Sequence, residues 1–284
     1  MQIFNRKVSG MNTTVLSYPE MRKLLTNNRQ ALGVTKNLSF EDFLLYLSEF
    51  GLLKKFHFEF PHESVTRYAH PDTSLYAVVG SFYQKAYFSH FSAIYLHQLT
   101  EQIPKTLYLN LEQKPKPSSV SRKNLIQANI DKAFNKPQRK TNNLCVFEEN
   151  TIIRLNGKAT NNEGVEKVAL SDQEHVRVTG LERTLIDIAV RPHYSGGVQH
   201  VLSAFERAKE LGVSINRLSA TLKQLDYIYP YHQVIGFYLE KAGYSEHQIG
   251  MMDKLEKTHD FYLDYELPSP DYSKRWRLFI PQGF

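Results

Sequence analysis

The sequence predicts an α+β protein, with an N-terminal winged helix-turn-helix-like domain followed by a mixed α/β C-terminal domain that has a helical, bundle-like half. Three observations carry that expectation. Residues 19–69 read as helix, helix, hairpin; residues 106–178 read as short strands split by Asn/Gly turns; and from Gly180 onward the apolar spacing becomes helical. The division falls at residue 84, giving one domain at 1–84 and a second at 85–284 that contains a basic loop region at 105–140.

Residues 19–30 predict the first helix, with Pro19 tolerated in its opening turn and Met21, Leu24 and Leu25 on one side. The second is stronger, because Phe40, Phe43, Leu44, Leu47 and Phe50 follow the spacing of an amphipathic helix. Ser39 and Asp42 make its N-terminal capping pair, and Gly51 ends it. Residues 53–60 and 65–69 then flank a turn at Pro61-His62-Glu63-Ser64, a hairpin. A helix at 89–99 and a strand at 106–112 come next. Four short strands are expected at 144–148, 151–155, 166–170 and 175–178. Helices follow at Leu181–Val190, 197–211, 214–225, 231–242 and 245–256. Gly212 and Gly243 stand at C-terminal caps, and Ser245 with Gln248 forms a capping box. Residues 261–267 and 275–280 suggest two closing strands.

The 284 residues carry 35 Lys plus Arg against 29 Asp plus Glu, a formal +6. That excess is concentrated. Between Lys105 and Lys140 stand nine basic residues (Lys105, Lys114, Lys116, Arg122, Lys123, Lys132, Lys136, Arg139 and Lys140) opposed only by Glu112 and Asp131. The window is therefore +7 and the rest of the chain −1. It reads either as a solvated basic loop or as a surface that meets phosphates or an acidic protein. Aromatic residues are sparse in it, with Phe134 the one beyond the strand that carries Tyr108, which argues against a stacking platform for single strands. A single cysteine, Cys145, rules out an internal disulfide and cysteine-rich zinc sites and suits a reducing cytosol. With a mean hydropathy of −0.42 and short apolar runs, no segment is suited to span a membrane. Nothing in MQIFNRKVSG marks it for secretion, so a cytoplasmic protein is expected.

Catalytic patterns are scarce. There is no phosphate-binding glycine loop and no G-x-S-x-G elbow. His90 and His97 lie seven apart on one helix, but no carboxylate or cysteine completes a metal set, and structural histidines are the better reading. Cys145, in an apolar strand, reads as a buried inert thiol. Pro71-Asp72 followed by Glu112-x-Lys114 formally matches the acidic pair and lysine of PD-(D/E)XK nucleases, in which carboxylates hold a divalent metal. Its halves are 40 residues apart, and E-x-K is a common tripeptide. Gly80-Ser81 could begin a nucleotidyltransferase motif, yet the nearest acidic pair, Asp264-x-Glu266, is far too distant. The helix at Leu181–Val190 is well designed as structure: Arg183 and Asp187 can pair one turn apart, and Leu185, Ile186 and Ala189 form its apolar face. That reading does not explain the Arg-Pro and Gly-Gly pairs that follow.

The run TGLERTLIDIAVRPHYSGGVQHVLSAFERA resembles the signature of AbiEi-type antitoxins of type IV toxin–antitoxin systems, in which T-x-x-E-R-T-L-x-D precedes R-P and then G-G-V. SHFSAIYLHQLTEQIPKTLYLNL, GFYLEKAG and KRWRLFIP are similar to further blocks of that family, so the resemblance spans roughly residues 85–280. In the N-terminal part, LSEFGLLKK resembles the end of a recognition helix entering a wing. The resemblance implies a DNA-binding N-terminal domain that represses its own operon at inverted repeats. It also implies a C-terminal domain that counteracts a nucleotidyltransferase-type toxin, with no catalytic site, metal or cofactor. Its antitoxin block rests on Glu182, Arg183, Thr184, Asp187, Arg191 and Pro192, and its wing on Lys54 and Lys55.

The chain departs from the family at the wing, where arginine followed by glycine is replaced by KKFHFEFPHESVTRYAH. The expected recognition helix carries Glu41, Asp42 and Glu49 and no basic residue, a poor match to base edges and phosphates. DNA binding is therefore expected to lean on Arg22, Lys23, Lys36, Lys54, Lys55, Arg67, Lys114, Lys116, Arg122 and Lys123. The alternatives are a metal-dependent nuclease using Asp72, Glu112 and Lys114, or a protein-binding module that has lost DNA binding.

Overall fold

Why the chain forms an α+β structure is visible first in its caps. A computed structural model describes residues 15–35, 37–115 and 125–284. The first helix, α1 (Tyr18–Asn28), begins where the Glu20 carboxylate accepts from the backbone N–H and the hydroxyl of Ser17, at 2.7 and 2.6 Å. In α2 (Phe40–Glu49), the Ser39 hydroxyl accepts from the Asp42 N–H at 3.0 Å, and Gly51 takes φ +64° just past the end. Strands β2 (Lys54–Phe60) and β3 (Glu63–Ala69) pair antiparallel around a two-residue turn, Pro61-His62, tighter than the four-residue turn expected. A two-residue strand, β1 (Val15–Leu16), adds to the other side of β3, giving the order β1-β3-β2.

The alternation of β2 buries Phe56, Phe58 and Phe60. Those rings pack against Phe82 and Phe147, outside the hairpin. One hydrophobic cluster therefore runs from the hairpin, through the short helix α3 (Leu75–Gly80), into the central sheet, and crosses residue 84. Met21, Leu24, Leu25, Phe43 and Leu47 form a smaller cluster between α1 and α2.

The central sheet has six strands, β4 (Tyr87–Phe88), β5 (Thr106–Asn110), β6 (Leu144–Phe147), β7 (Asn150–Leu155), β8 (Val165–Ala169) and β9 (His175–Thr179), in the order β6-β7-β5-β4-β9-β8. It is mixed: β5 runs parallel to β7 and β4 to β9, and the other neighbours are antiparallel. Helix α4 (His90–Leu96) lies between β4 and β5. Its flanking His97 donates from Nε2 to the Thr179 carbonyl at 2.6 Å, so this histidine ties helix to sheet.

Beyond β9 the chain is helical: α6 (Leu181–Val190), a 3-10 turn (Pro192–Ser195), α7 (Val198–Glu210), α8 (Ile215–Leu225), α9 (Tyr231–Lys241) and α10 (Glu246–Asp253). Three short strands close it, β10 (Phe261–Tyr262), β11 (Asp271–Ser273) and β12 (Leu278–Ile280), where two were expected. The apolar faces of these helices and the fully buried Trp276 share one large core.

The basic window is less loop-like than expected. Residues Gln127–Phe134 form helix α5, which buries Ile130 and Phe134. The Phe134 ring contacts those of Tyr229, Phe261, Tyr262 and Tyr265, at centroid distances of 4.4 to 5.5 Å. Phe134 is thus the plug of an aromatic cluster of three tyrosines and Phe261. Among the described residues, no helix is long and apolar enough to cross a membrane.

Candidate functional site

Helix α6 is the hub of the C-terminal part. Its apolar side chains Leu185, Ile186 and Ala189 are buried as the spacing predicts, and its polar ones are buried too. Each polar group has an assigned partner. Glu182 accepts from Arg217, at 3.0 and 2.7 Å, and from the Ser214 N–H, so it holds the start of α8 in addition to lying in its own first turn. Thr184 donates from its hydroxyl to the Thr179 carbonyl at 2.9 Å, fastening α6 to β9. Arg183 donates to Asp187 at 2.8 Å and to the Glu163 carbonyl at 2.7 Å. Tyr227 supplies a further hydrogen bond to Asp187.

Burial pushes the Asp187 carboxyl above its ordinary value against the pull of Arg183. For Arg183, burial alone would favour the neutral form, but Asp187, Tyr227 and Tyr87 outweigh it and keep the guanidinium charged. Arg191 leaves the helix, and Pro192 opens the 3-10 turn at a position that needs no N–H. Gly196 and Gly197 take φ of +84° and +90°, which only glycine adopts without strain. The Arg-Pro and Gly-Gly pairs are thus a helix stop followed by a left-handed reversal into α7.

A second polar relay meets this one. Glu112 accepts from the Tyr87 hydroxyl at 3.0 Å, from the Thr160 N–H at 2.7 Å, from the Thr160 hydroxyl and from the Asn162 N–H at 3.3 Å. Burial alone would raise its pKa, but these donors together lower it. Asn110 donates to the Tyr87 hydroxyl at 2.5 Å and accepts from the Gly157 N–H at 2.9 Å. A Cβ at position 157 would strike the Asn110 amide, so glycine permits this close approach.

Between the two relays opens a cleft of about 420 Å³. Asn110, Leu155, Asn156 and Gly157 line it from the sheet, and Arg183, Asp187, Val190 and Arg191 from α6 and its end. Arg139, Lys140, Lys158, His90, Tyr194 and Tyr227 contribute further to its lining. Five cations face one carboxylate, and that carboxylate is already paired with Arg183. Lys158 donates to the carbonyls of Leu225 and Asp226 at the end of α8, 2.7 Å each. His90 is buried and its pKa falls to about 3, because burial disfavours its charged form and Arg191 and Arg183 lie near it. It presents a neutral imidazole.

The residues expected to contact DNA are scattered. Arg22, Lys23, Lys55 and Lys114 are exposed. Lys36, Lys116, Arg122 and Lys123 lie outside the described residues. Lys54 pairs with Glu148 at 2.8 Å and lies over the Phe56 ring. Arg67 is turned inward: its guanidinium donates to the carbonyls of Thr66, Ser81 and Phe82 and to the Ser81 hydroxyl, so it braces the hairpin instead of facing solvent. On α2, Glu41, Asp42 and Glu49 are exposed beside Leu45, Tyr46 and Phe50, the last two with ring centroids 4.6 Å apart.

No hydrogen bond or ion pair among the described residues joins Asp72 to Glu112 or Lys114, and the Glu112 carboxylate is occupied in tying the 160–162 loop to the sheet. No group of three His, Cys, Asp or Glu side chains among those residues is placed to share a metal ion. Cys145 is buried and its thiol is pushed up to about 11 by burial. Of the cleft, sequence reasoning singled out Arg183, Asp187 and Arg191. It missed Asn110, Lys158, Tyr194 and Tyr227, and it left Arg139 and Lys140 unassigned within the basic window.

The chain matches no protein-family model, and it matches no curated protein. It is similar to a solved structure described as that of the RV2827C protein from Mycobacterium tuberculosis. The TM-score is 0.61 at 13% identity, with 98% of this chain and 90% of that chain covered. At that identity the likeness shows the fold alone.

Proposed function

We propose that this chain is a cytoplasmic, non-enzymatic antitoxin of the AbiEi type, counteracting a nucleotidyltransferase-type toxin and repressing its own operon at inverted repeats in promoter DNA. The observation that carries this reading is the fate of the TGLERTLID block. Every polar side chain in it is spent inside the fold, on Arg217, Ser214, Thr179, Glu163 and within the Arg183–Asp187 pair. Such a block serves as a scaffold. Arg183 and Asp187 also line the cleft, but each is held by the other, whereas a reacting centre would leave a nucleophile or base unoccupied there. The N-terminal order of helix, helix and hairpin supports a winged helix-turn-helix reader.

Two measurements test the two halves. An electrophoretic shift of the upstream promoter across a salt series should show affinity that falls as salt rises. No shift at low salt removes the repressor. Co-expression should rescue cells from the product of the neighbouring reading frame, and a harmless neighbour removes the antitoxin.

One observation favours a second reading, a protein-binding module whose N-terminal part no longer reads bases. The outer face of α2 combines three carboxylates with exposed Leu45, Tyr46 and Phe50. That chemistry suits an apolar partner with basic edges better than a major groove. Promoter binding that is lost when Arg22, Lys23 and Lys55 are replaced together, with the thermal melt unchanged, would count against this second reading.

A further inference from the structure

We infer that the cleft beside α6 is a binding site for a mononucleotide, a nucleoside di- or triphosphate held by Arg139, Lys140 and Arg191, with its base against the tyrosine-lined wall. This inference stands on the cleft itself and does not depend on the antitoxin reading.

Charge comes first. Lys158 and Arg183 are consumed by carbonyls and by Asp187. Arg139, Lys140 and Arg191 differ, since among the described residues no carboxylate pairs with any of them. The Arg191 guanidinium donates to the Arg139 carbonyl at 3.4 Å, which brings Arg191 to the segment that carries the other two cations. Two guanidiniums and an ammonium lining one concave site, whose one lining carboxylate, Asp187, is paired with Arg183, form an anion receptor. Guanidinium matches phosphate geometry in particular, through paired N–H donors.

Size and lining then narrow the anion. A volume of about 420 Å³ lies in the range of small-molecule sites and accommodates one nucleotide, while a strand of several would need an extended groove. The lining is not uniformly charged. Tyr194 and Tyr227 form part of the wall, Tyr194 as a buried ring and Tyr227 with Lys158 over its face, His90 is neutral, and Gln113 and Asn156 offer amide groups of the kind that read base edges. Tyr194 is also anchored, accepting from the Thr141 N–H at 3.1 Å. Bare phosphate would use the cations and leave the remainder of this wall unfilled.

Calorimetric titration of the full chain with ATP, GTP, CTP, UTP, a nucleoside, pyrophosphate and a short single-stranded oligonucleotide tests the assignment. At least one triphosphate should bind with one-to-one stoichiometry, at least tenfold more tightly than its nucleoside and than pyrophosphate, and more weakly as salt rises. Arg191→Ala and the surface variant Lys140→Ala should each weaken it at least fivefold, while Lys85→Ala, the same charge change elsewhere, should leave it unchanged. An unaltered thermal melt of Lys140→Ala separates lost binding from lost folding. No binding at millimolar nucleotide overturns the inference, as do pyrophosphate binding as tight as the triphosphate, tighter binding of the oligonucleotide, or equal affinity in Lys140→Ala and Lys85→Ala.

Discussion

Arg183 and Asp187 form an ion pair of 2.8 Å one helical turn apart, and both side chains are almost completely enclosed. Two charges taken from water in this way lose solvation that the pairing, with the Glu163 carbonyl and the Tyr227 hydroxyl, replaces. Asp187→Ala should therefore cost about 3–5 kcal/mol in urea unfolding, because it leaves Arg183 buried and uncompensated. The double variant Arg183→Met/Asp187→Leu should be more stable than Asp187→Ala alone. A double variant that is no better would place the cost in packing and not in charge.

Two glycines in neighbouring helices should respond oppositely to alanine. A Cβ at Gly236 in α9 would lie under 3.0 Å from the Trp276 indole, which is fully buried and donates its N–H to Glu240 at 2.5 Å. The ring has no room to retreat. Gly236→Ala should destabilise by about 1–3 kcal/mol despite alanine's better helix propensity. Gly250 in α10 has nothing within 4 Å of its would-be Cβ, so Gly250→Ala should stabilise by up to about 1 kcal/mol. Thermal melts of the two variants should move in opposite directions.

These elements show where the sequence was legible. The bounds of α6 follow from its apolar spacing alone, and the Ser39 and Ser245 caps are where Asp42 and Gln248 place them. Helix α5 was missed because it buries only Ile130 and Phe134, and what covers Phe134 is Tyr229, Phe261, Tyr262 and Tyr265, about a hundred or more residues later. Short α3 spans too few turns to show a period. The cleft was half legible for the same reason. Its α6 residues belong to one motif, whereas Asn110, Lys158, Tyr194 and Tyr227 meet only through sheet order and helix packing, which no local spacing encodes.

Lys55 and Arg67 separate DNA contact from support of the fold. Lys55 is exposed on β2, and if the hairpin grips phosphate, Lys55→Ala should weaken promoter binding evenly across sequences and reduce the salt slope by about one. Arg67→Ala instead removes the donor that satisfies the carbonyls of Ser81 and Phe82. It should cost about 1–3 kcal/mol of stability, read from denaturant midpoints. Unchanged stability of Arg67→Ala together with a lost promoter shift would return Arg67 to the DNA-contacting set.

His90 should make the protein sensitive to acid well above the carboxylate range. Its imidazole is enclosed, shares a 2.8 Å hydrogen bond with the Ser89 hydroxyl, and has its pKa lowered from 6.5 to about 3 by burial and by Arg191 and Arg183. The unfolded chain takes up a proton at this histidine near pH 6.5, and the folded chain does not until about pH 3. Between those values the unfolded state binds more protons, so stability falls as pH falls, at up to about 1.4 kcal/mol per pH unit from this group. His90 also holds φ +54°, a left-handed conformation that asparagine tolerates, which makes His90→Asn the suitable probe. Urea midpoints at pH 7.5 and 5 should differ less in His90→Asn than in the parent chain. An equal difference in both would assign the acid sensitivity to other groups.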